Sequence, residues 1–420
     1  MTSLTLLFWI LAGIALQLAI YLGIGFWRHW QSYQALSESA AESGLNVSPQ
    51  AVSPMAEETP LSAWSGYRTF RVDRKVIEDE ARSVCSFYLV PEDAQALPSF
   101  LPGQFLTFRL DVPGTTATEQ IIRCYSLSDA PRPNGYRISV KRALPPRDCA
   151  VPAGRSSNHL HDHIEVGSHL QVRAPSGHFH IDRSDAPVVL IGGGIGITPM
   201  LSMLNWSLNE QPGREVWLFY GVRNSRELVM KSHLEQLAAA HPNFHLRFCF
   251  SDPLPEEVAG RDYHSASRVD VRLLRGELPL KPYHFYICGP TPLMESLVPA
   301  LEDWGVPDAH IHFEAFGPAS IKRKPAAAQQ TVTTDSDIVV TFARSGKQFQ
   351  WQPEAGSLLE FAEANGIAVD SGCRAGGCGS CQTTITSGEV SYGQAPEFDP
   401  EPGSCLLCTC IPKTSVTLEV

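Results

Sequence analysis

Three cysteines stand within nine residues near the carboxyl end of the chain, in the run Cys373-Arg-Ala-Gly-Gly-Cys378-Gly-Ser-Cys381. Thiols this crowded converge on one another, on a metal or on a cluster, and each choice dictates a different local fold. The chain has eleven cysteines in 420 residues. An odd, unevenly spread set is a poor disulfide framework, and the crowding between Cys373 and Cys410 points to a metal or cluster instead. Zinc sites usually show two paired short spacings. Here the spacing is four then two, with Gly372, Gly376, Gly377, Gly379 and Ser380 around the thiols. Small residues let the backbone wrap a cluster and turn its N–H groups toward the sulfurs. C-x4-C-x2-C with a distant further cysteine fits a [2Fe–2S] centre held by four thiolates.

The rest of the chain divides by composition. Hydrophobic residues make up 43% and charged residues 18%, so most of it can bury cores, and the length suggests two to four domains. A formal charge of −11 argues against nucleic acid as a partner, because phosphate binding needs clustered Lys and Arg. Residues 4–27, LTLLFWILAGIALQLAIYLGIGFW, carry no charge. As a helix they would reach roughly 36 Å, enough for a bilayer core of about 30 Å. Tyr21, Trp27 and Trp30 suit an interfacial belt, and Arg28 and His29 follow with nothing basic before them. That asymmetry puts the downstream domains on the cytoplasmic side. A cleaved signal peptide would need a basic start, a shorter apolar run and a small-residue cleavage site. The expectation is a single-pass membrane protein with its anchor in 1–30 and a polar, Pro-containing linker in 31–63.

From 64 to 185 short alternating runs such as FRVDRKVIED, QFLTFRLDV and YRISVKR lie between Pro/Gly turns, which predicts a small antiparallel barrel. From 186 to 317 strands and helices alternate, beginning with PVVLIGGG, which predicts a parallel sheet. Residues 318–334 read as a second linker. The last module, 335–420, opens with the strand IVVTFA and the helix SLLEFAEANG before the cysteine loop. The fold class is therefore multidomain α+β and α/β.

These segments carry a resemblance. The last module resembles a plant-type [2Fe–2S] ferredoxin domain of the β-grasp kind, in its helix, its SGCRAGGCGSC loop and its LLCTCIP end. Arg123-Cys-Tyr125-Ser126, then Val140 and Lys141 within ISVKR, then Gly154-Arg-Ser156-Ser157, resemble in order and spacing the flavin motifs of the ferredoxin–NADP reductase superfamily. The resemblance implies that Tyr125 stacks on the isoalloxazine, that Ser126 reaches its N5, and that Arg123 and the Gly154 segment hold phosphates. Gly192-Gly193-Gly194-Ile-Gly196-Ile-Thr198-Pro199 departs from G-x-G-x-x-G and resembles the GGxGITP loop of the same superfamily, with Thr198 expected as helix N-cap and Pro199 at the first helical position. Cys288-Gly289-Pro290 resembles its nicotinamide-side motif, and Phe313-Glu314-Ala315-Phe316 its terminal segment. Ser126, Cys288 and Glu314 are thereby implied at the reacting end, with Phe316 beside the flavin.

From 64 onward the order of modules resembles the reductases of multicomponent oxygenases, of the phthalate dioxygenase reductase type. The implied cofactors are FAD (favoured over FMN), a [2Fe–2S] cluster and NAD(P)H. Of the cysteines after Cys381, Cys408 fits the family's last ligand best, with an apolar residue two before it and Pro412 four beyond, so the implied iron ligands are Cys373, Cys378, Cys381 and Cys408. The implied acceptor is a protein, a membrane-associated oxygenase, hydroxylase or desaturase. A reductase of a diffusible quinone or ferric chelate and a non-enzymatic redox sensor stay open. Arg223 and Arg226, with Ser225 between them, follow the second strand and favour a 2′-phosphate, hence NADPH. The module from 335 holds eleven acidic residues against four Lys/Arg, a net −7, which suits a basic partner. His159, His161 and His163, spaced by two, are read as one face of a strand, with a metal there the lesser reading.

Overall fold

A computed structural model of the chain describes residues 64, 66–114, 118–145, 152–316, 338–372, 374, 376–393, 396 and 398–420, all within one compact unit spanning 60–420.

The first part is antiparallel. Strands β1 (Arg68–Ile77), β2 (Val84–Pro91), β3 (Phe105–Pro113), β4 (Thr118–Ser126), β5 (Tyr136–Lys141) and β6 (His169–Val172) form one sheet in the order β4-β3-β6-β1-β2-β5. It curls until Leu127, just after β4, bridges Ile138 of β5, so its two ends meet. Phe70, Val72, Phe87, Leu89, Leu106 and Phe108 fill the interior. A helix, α1 (Arg155–His163), precedes β6.

The second part is the expected parallel sheet, in the order β11-β10-β7-β8-β9, from β7 (Val188–Gly193), β8 (Val216–Val222), β9 (Phe244–Phe250), β10 (His284–Gly289) and β11 (Ile311–Ala315). Alternation along β7 feeds two cores. Val188 and Leu190 meet α2 (Ile197–Glu210) and α3 (Lys231–Ala240) on one face. Val189 and Ile191 meet α4 (Val271–Glu277) and α5 (Thr291–Asp303) on the other. Every residue of β7 is buried, as a central strand covered on both faces requires. Strand order reverses between β7 and β10, where open α/β sheets bind ligands.

The third part has β12 (Val339–Phe342), β13 (Lys347–Gln350), β14 (Gln382–Ser387), β16 (Ser404–Leu406) and β18 (Val416–Leu418) in the order β13-β12-β18-β14-β16, and a two-stranded ribbon of β15 (Val390–Tyr392) and β17 (Cys410–Pro412). Its helix α6 (Leu358–Ala364) starts on a capping box of Ser357 and Glu360, a start legible in the sequence.

Three expectations are corrected. The run SRELVMKSHLEQLAAA, Ser225 to Ala240, reads in sequence as the second helix of the alternating part, but it is not one helix. Residues Ser225–Glu227 form a 3-10 turn, Met230 is left-handed at φ 55°, and the α-helix begins at Lys231. The cause is tertiary: Ala81 N–H donates to the Arg226 carbonyl (3.0 Å) and Met230 N–H to that of Glu78 (3.3 Å), which holds this segment against the curled sheet. His159, His161 and His163 lie on a helix, not a strand. His161 Nε2 bonds the Val140 carbonyl at 2.8 Å, and the His159 and His163 rings, four residues apart, sit 5.3 Å from each other. The localisation is corrected as well. Among the described residues no helix is long and apolar enough to cross a membrane, and residues 4–27, on which the anchor and the lipid contact were read, lie outside the described residues. The single-pass placement is not upheld.

Asp129 joins the first two parts. Its Oδ1 accepts from Asn205 Nδ2 at 2.7 Å, and its carbonyl accepts from Ser202 Oγ at 2.8 Å, both on α2. Its Oδ2 lies 3.1 Å from Arg132 and 3.7 Å from the buried Arg137. Removing one member of a buried pair strands the other charge. Asp129→Ala is expected to destabilise this unit by about 3 kcal/mol, read as a lower unfolding midpoint in urea. An unchanged midpoint would show that Arg137 is satisfied by Ser128 alone.

Candidate functional site

One cavity of about 400 Å3 is walled by all three parts, a size in the usual ligand range. The curled sheet gives Phe105, Arg123, Cys124, Tyr125, Ser126, Ser139, Val140 and Lys141. The parallel-sheet part gives Ile195, Thr198, Glu314 and Phe316. The third part gives Ser371, Gly372 and Arg374, which flank Cys373 in sequence. Cys373 itself lies outside the described residues.

Tyr125 and Ser126 end β4. The Tyr125 hydroxyl donates to Ser156 Oγ at 3.3 Å, and burial pushes its phenol up, so the ring presents a neutral aromatic face. Arg123 is exposed and bonds the carbonyl of Ile122. Gly154 begins α1, and a β-carbon there would lie 2.6 Å from that of Ala143. Ser157 Oγ accepts from Ala143 N–H at 3.1 Å, so it fixes the loop, while Ser156 faces Tyr125. Together these put the N-terminus of α1 beside the aromatic ring of the motif. Free N–H groups at such an end favour a phosphate.

The Gly192–Gly196 loop and Cys288-Gly289-Pro290 come from adjacent strands and touch. A β-carbon on Gly196 would lie 2.1 Å from the Cys288 carbonyl oxygen, one on Gly193 2.9 Å from Pro290, and one on Gly289 3.0 Å from Gly193. Gly194 has φ +54°. The helix starts at Ile197 with Gly196 in the cap position, so Thr198 does not cap it. Thr198 Oγ1 instead donates to the Ile195 carbonyl at 3.0 Å, and Pro199 sits in the first turn. Cys288 pairs in register with Glu314 across β10 and β11. Full burial, then the Glu314 charge, push the Cys288 thiol well up. A thiol so held is no nucleophile.

After β8, Arg223 is bound by Glu227, with Nε to Oε1 at 2.7 Å. Glu227 Oε2 also lies 4.0 Å from Lys141 Nζ. Ser225 N–H donates to Glu257 at 2.8 Å. Arg226 is exposed. The sequence reading missed Glu227, although its i,i+4 spacing from Arg223 is the signal that could have found the pair; its approach to Lys141 comes from the other sheet.

In the third part, Cys378 and Cys381 are buried in the loop before β14, and Cys408 sits in the turn between β16 and β17. Cys405 lies on β16 opposite Thr383, and Cys410 on β17 opposite Tyr392. A hydrogen bond with Cys405, then burial, push the Cys410 thiol far up, as two core thiols facing each other should. The loop leaves no room for side chains at its glycines: a β-carbon on Gly372 would lie 2.8 Å from Cys378 Sγ, and one on Gly379 2.6 Å from the Phe398 ring. Gly376 and Gly379 have φ of +76° and +70°, conformations that favour glycine. The donor set and this cradle fit a wrapped cluster.

The comparisons agree with this division. Residues 72–181 match the family described as "Oxidoreductase FAD-binding domain", 190–298 "Oxidoreductase NAD-binding domain", and 340–413 "2Fe-2S iron-sulfur cluster binding domain". A flavohemoprotein from Halalkalibacterium halodurans is 38% identical over 265 residues, 63% of this chain and 63% of that protein. The chain thus spans less than two thirds of that relative's length. The flavohem-like FAD/NAD-binding domain of nitric oxide dioxygenase from Vibrio cholerae is 33% identical, over 60% of this chain and 100% of that one, with a TM-score of 0.52. The structure of phthalate dioxygenase reductase is 26% identical over 84% of this chain and 98% of that one, with a TM-score of 0.51.

Two outcomes follow from the geometry. Gly196→Ala drives a methyl into the Cys288 carbonyl, so kcat/KM for the nicotinamide nucleotide should fall at least about tenfold, ~1.4 kcal/mol, with flavin content kept. Cys408→Ser should abolish the reduced-state EPR signal and lower iron content, whereas Cys405→Ser and Cys410→Ser keep both. The reverse pattern moves the ligand to the other cysteine.

Proposed function

We propose, for a chain that belongs to the ferredoxin–NADP reductase superfamily and carries FAD-binding, NAD-binding and [2Fe–2S] domains, that it passes electrons from NAD(P)H through FAD to the cluster and on to a protein acceptor. The observation that carries this reading is the shared cavity, to which the Tyr125–Ser126 strand end, the Thr198 and Phe316 region and the cysteine loop all contribute. Bound FAD supplies the conversion of a hydride into electrons released singly, and the cluster takes them one at a time.

The residues have distinct parts in this reading. Tyr125 gives the ring a flat apolar wall, and Val140 and Lys141 shape the cavity beside it. The N-terminus of α1, with Gly154, Ser156 and Ser157, and the guanidinium of Arg123 hold the pyrophosphate. Gly193, Gly194 and Gly196 let the backbone approach the nucleotide, and Gly289 and Pro290 keep that approach open. Ser126 and Glu314 present their hydroxyl and carboxylate at the reacting end, and protonated Cys288 forms a compact floor beside Glu314. Phe316 shields the ring until the nicotinamide enters. Cys373, Cys378, Cys381 and Cys408 hold the cluster.

The acceptor is an oxygenase, hydroxylase or desaturase component. The likeness to phthalate dioxygenase reductase across almost the whole of that chain supports this choice. The charge of −7 on the last module suits a basic docking face, and such a pair loses rate as salt screens it.

Anaerobic mixing of purified, cluster-loaded protein with NAD(P)H should bleach the flavin band and produce a reduced-cluster EPR signal. A bleached flavin with the cluster left oxidised would refute the sequence of transfer. Because Glu227 occupies Arg223, Arg226 is the cation left to meet a 2′-phosphate. Arg226→Ala should lower kcat/KM for NADPH about tenfold, ~1.4 kcal/mol, and leave NADH unchanged. A wild-type preference for NADH of tenfold or more would count against the phosphate reading.

A further inference from the structure

Arg173 follows β6 at the rim of the curled sheet, and its own N–H donates to the Thr107 carbonyl at 2.8 Å, so its backbone is fixed to β3. Its side chain leaves the sheet and enters the third part. Nη1 donates to the carbonyl of Cys378 at 2.6 Å. The guanidinium carbon lies 4.8 Å from the centre of the Tyr67 ring and 4.9 Å from that of Phe398. Tyr67 belongs to the curled sheet's side and Phe398 to the cysteine module, so the cation is clamped between one aromatic from each. Phe398 in turn covers Gly379, and its N–H donates to the Gly376 carbonyl at 3.0 Å. Nearby, Ser176 Oγ bonds the Gly377 carbonyl at 3.4 Å. The contacts thus fall on three successive residues, Gly377, Cys378 and Gly379, centred on one of the thiols.

This placement has two physical effects. A planar guanidinium that stacks on two rings and donates along its edge fixes direction as well as distance, which an ammonium cannot do. It also sets a permanent positive charge beside the loop that holds the cluster, in a partly buried place where screening is weak. A cluster that gains an electron gains negative charge, so a fixed cation favours its reduced form, and cluster potentials respond to such local charge and hydrogen bonding.

We propose that Arg173 is a positioning residue for the cluster: it locks the 376–381 loop onto the flavin-binding sheet and raises the cluster's reduction potential. This rests on the reading that 335–420 holds a [2Fe–2S] cluster.

The test uses the full chain with its cluster, titrated with dithionite and followed by EPR, together with amide exchange across residues 376–381. In Arg173→Gln the potential should move to more negative values and exchange should quicken at least tenfold, with flavin content unchanged. Arg173→Lys, which keeps the charge but not the planar fork, should hold the potential near wild type while exchange still quickens. A cluster potential in Arg173→Gln equal to wild type overturns the proposal, whatever the loop does. Should that variant fail to retain its cluster, Phe398→Leu keeps the bond to Cys378 and removes one side of the clamp. It should quicken exchange across 376–381 by less than Arg173→Gln and hold the potential near wild type, and unchanged exchange would also overturn the proposal. Dithionite bypasses nucleotide and flavin, so a wild-type cluster that NAD(P)H cannot reduce counts against the electron-transfer reading alone.

Discussion

Between Gly196 and the carbonyl of Cys288 there is no room for even a β-carbon, and the site is arranged around that contact. It exists because β7 and β10 are neighbours at the point where the order of the parallel sheet reverses. Loops leaving the two strands on the same side must either collide or be built of glycine. With glycine they interlock, and the helix that follows starts close enough for its first turn to face the cavity. Cys288 is then buried behind the loop, and its register partner Glu314 reaches the cavity wall. One close approach of backbone to backbone therefore fixes the nucleotide loop, the buried thiol and the carboxylate together.

The curled sheet is the hub to which the other two parts are fastened, and a polar tie reaches each of them. Asp129 reaches α2, and Arg173 reaches the cysteine loop. Apolar contact alone would let two surfaces slide, whereas a hydrogen-bonded charge holds one register, because any displacement leaves a buried group without its partner. The cavity depends on that register, since its walls come from all three parts. The turn carrying Glu227 adds a third tie, held against the curled sheet through Ala81 and Glu78 and lying 4.0 Å from Lys141.

Much of this was legible in the residues. The alternating runs, the buried strand leading into glycines, the capping box at Ser357 and the cysteine spacing each state a local rule that the fold obeys. Where the reading failed, the deciding force was remote. Three histidines at spacings of two match the period of a strand, yet the segment is a helix, its start pinned by Asn158 and Ser157 on the Gly154 and Ala143 backbone. Met230 breaks an otherwise good helical run because its N–H is claimed by Glu78. Arg173 sits in no motif, and its partner is 205 residues away in sequence. Thr198 looked like a cap, but the glycines before it had already turned the chain. The apolar residues 4–27, read as a span, lie outside the described residues, and among the described residues no helix is long and apolar enough to cross a membrane.

Strand β7 also constrains heredity. Its side chains alternate between the two cores of the parallel sheet, and its end delivers the glycines to the place where they fit. Inserting or deleting one residue would exchange every side chain between the cores and carry Gly196 away from Cys288 at once. Lineages descended from this chain can revise β7 by substitution, one letter at a time, but its length is closed to them, while the surface loops remain free to lengthen and shorten. The strand keeps the frame in which the remainder of the sequence is allowed to drift.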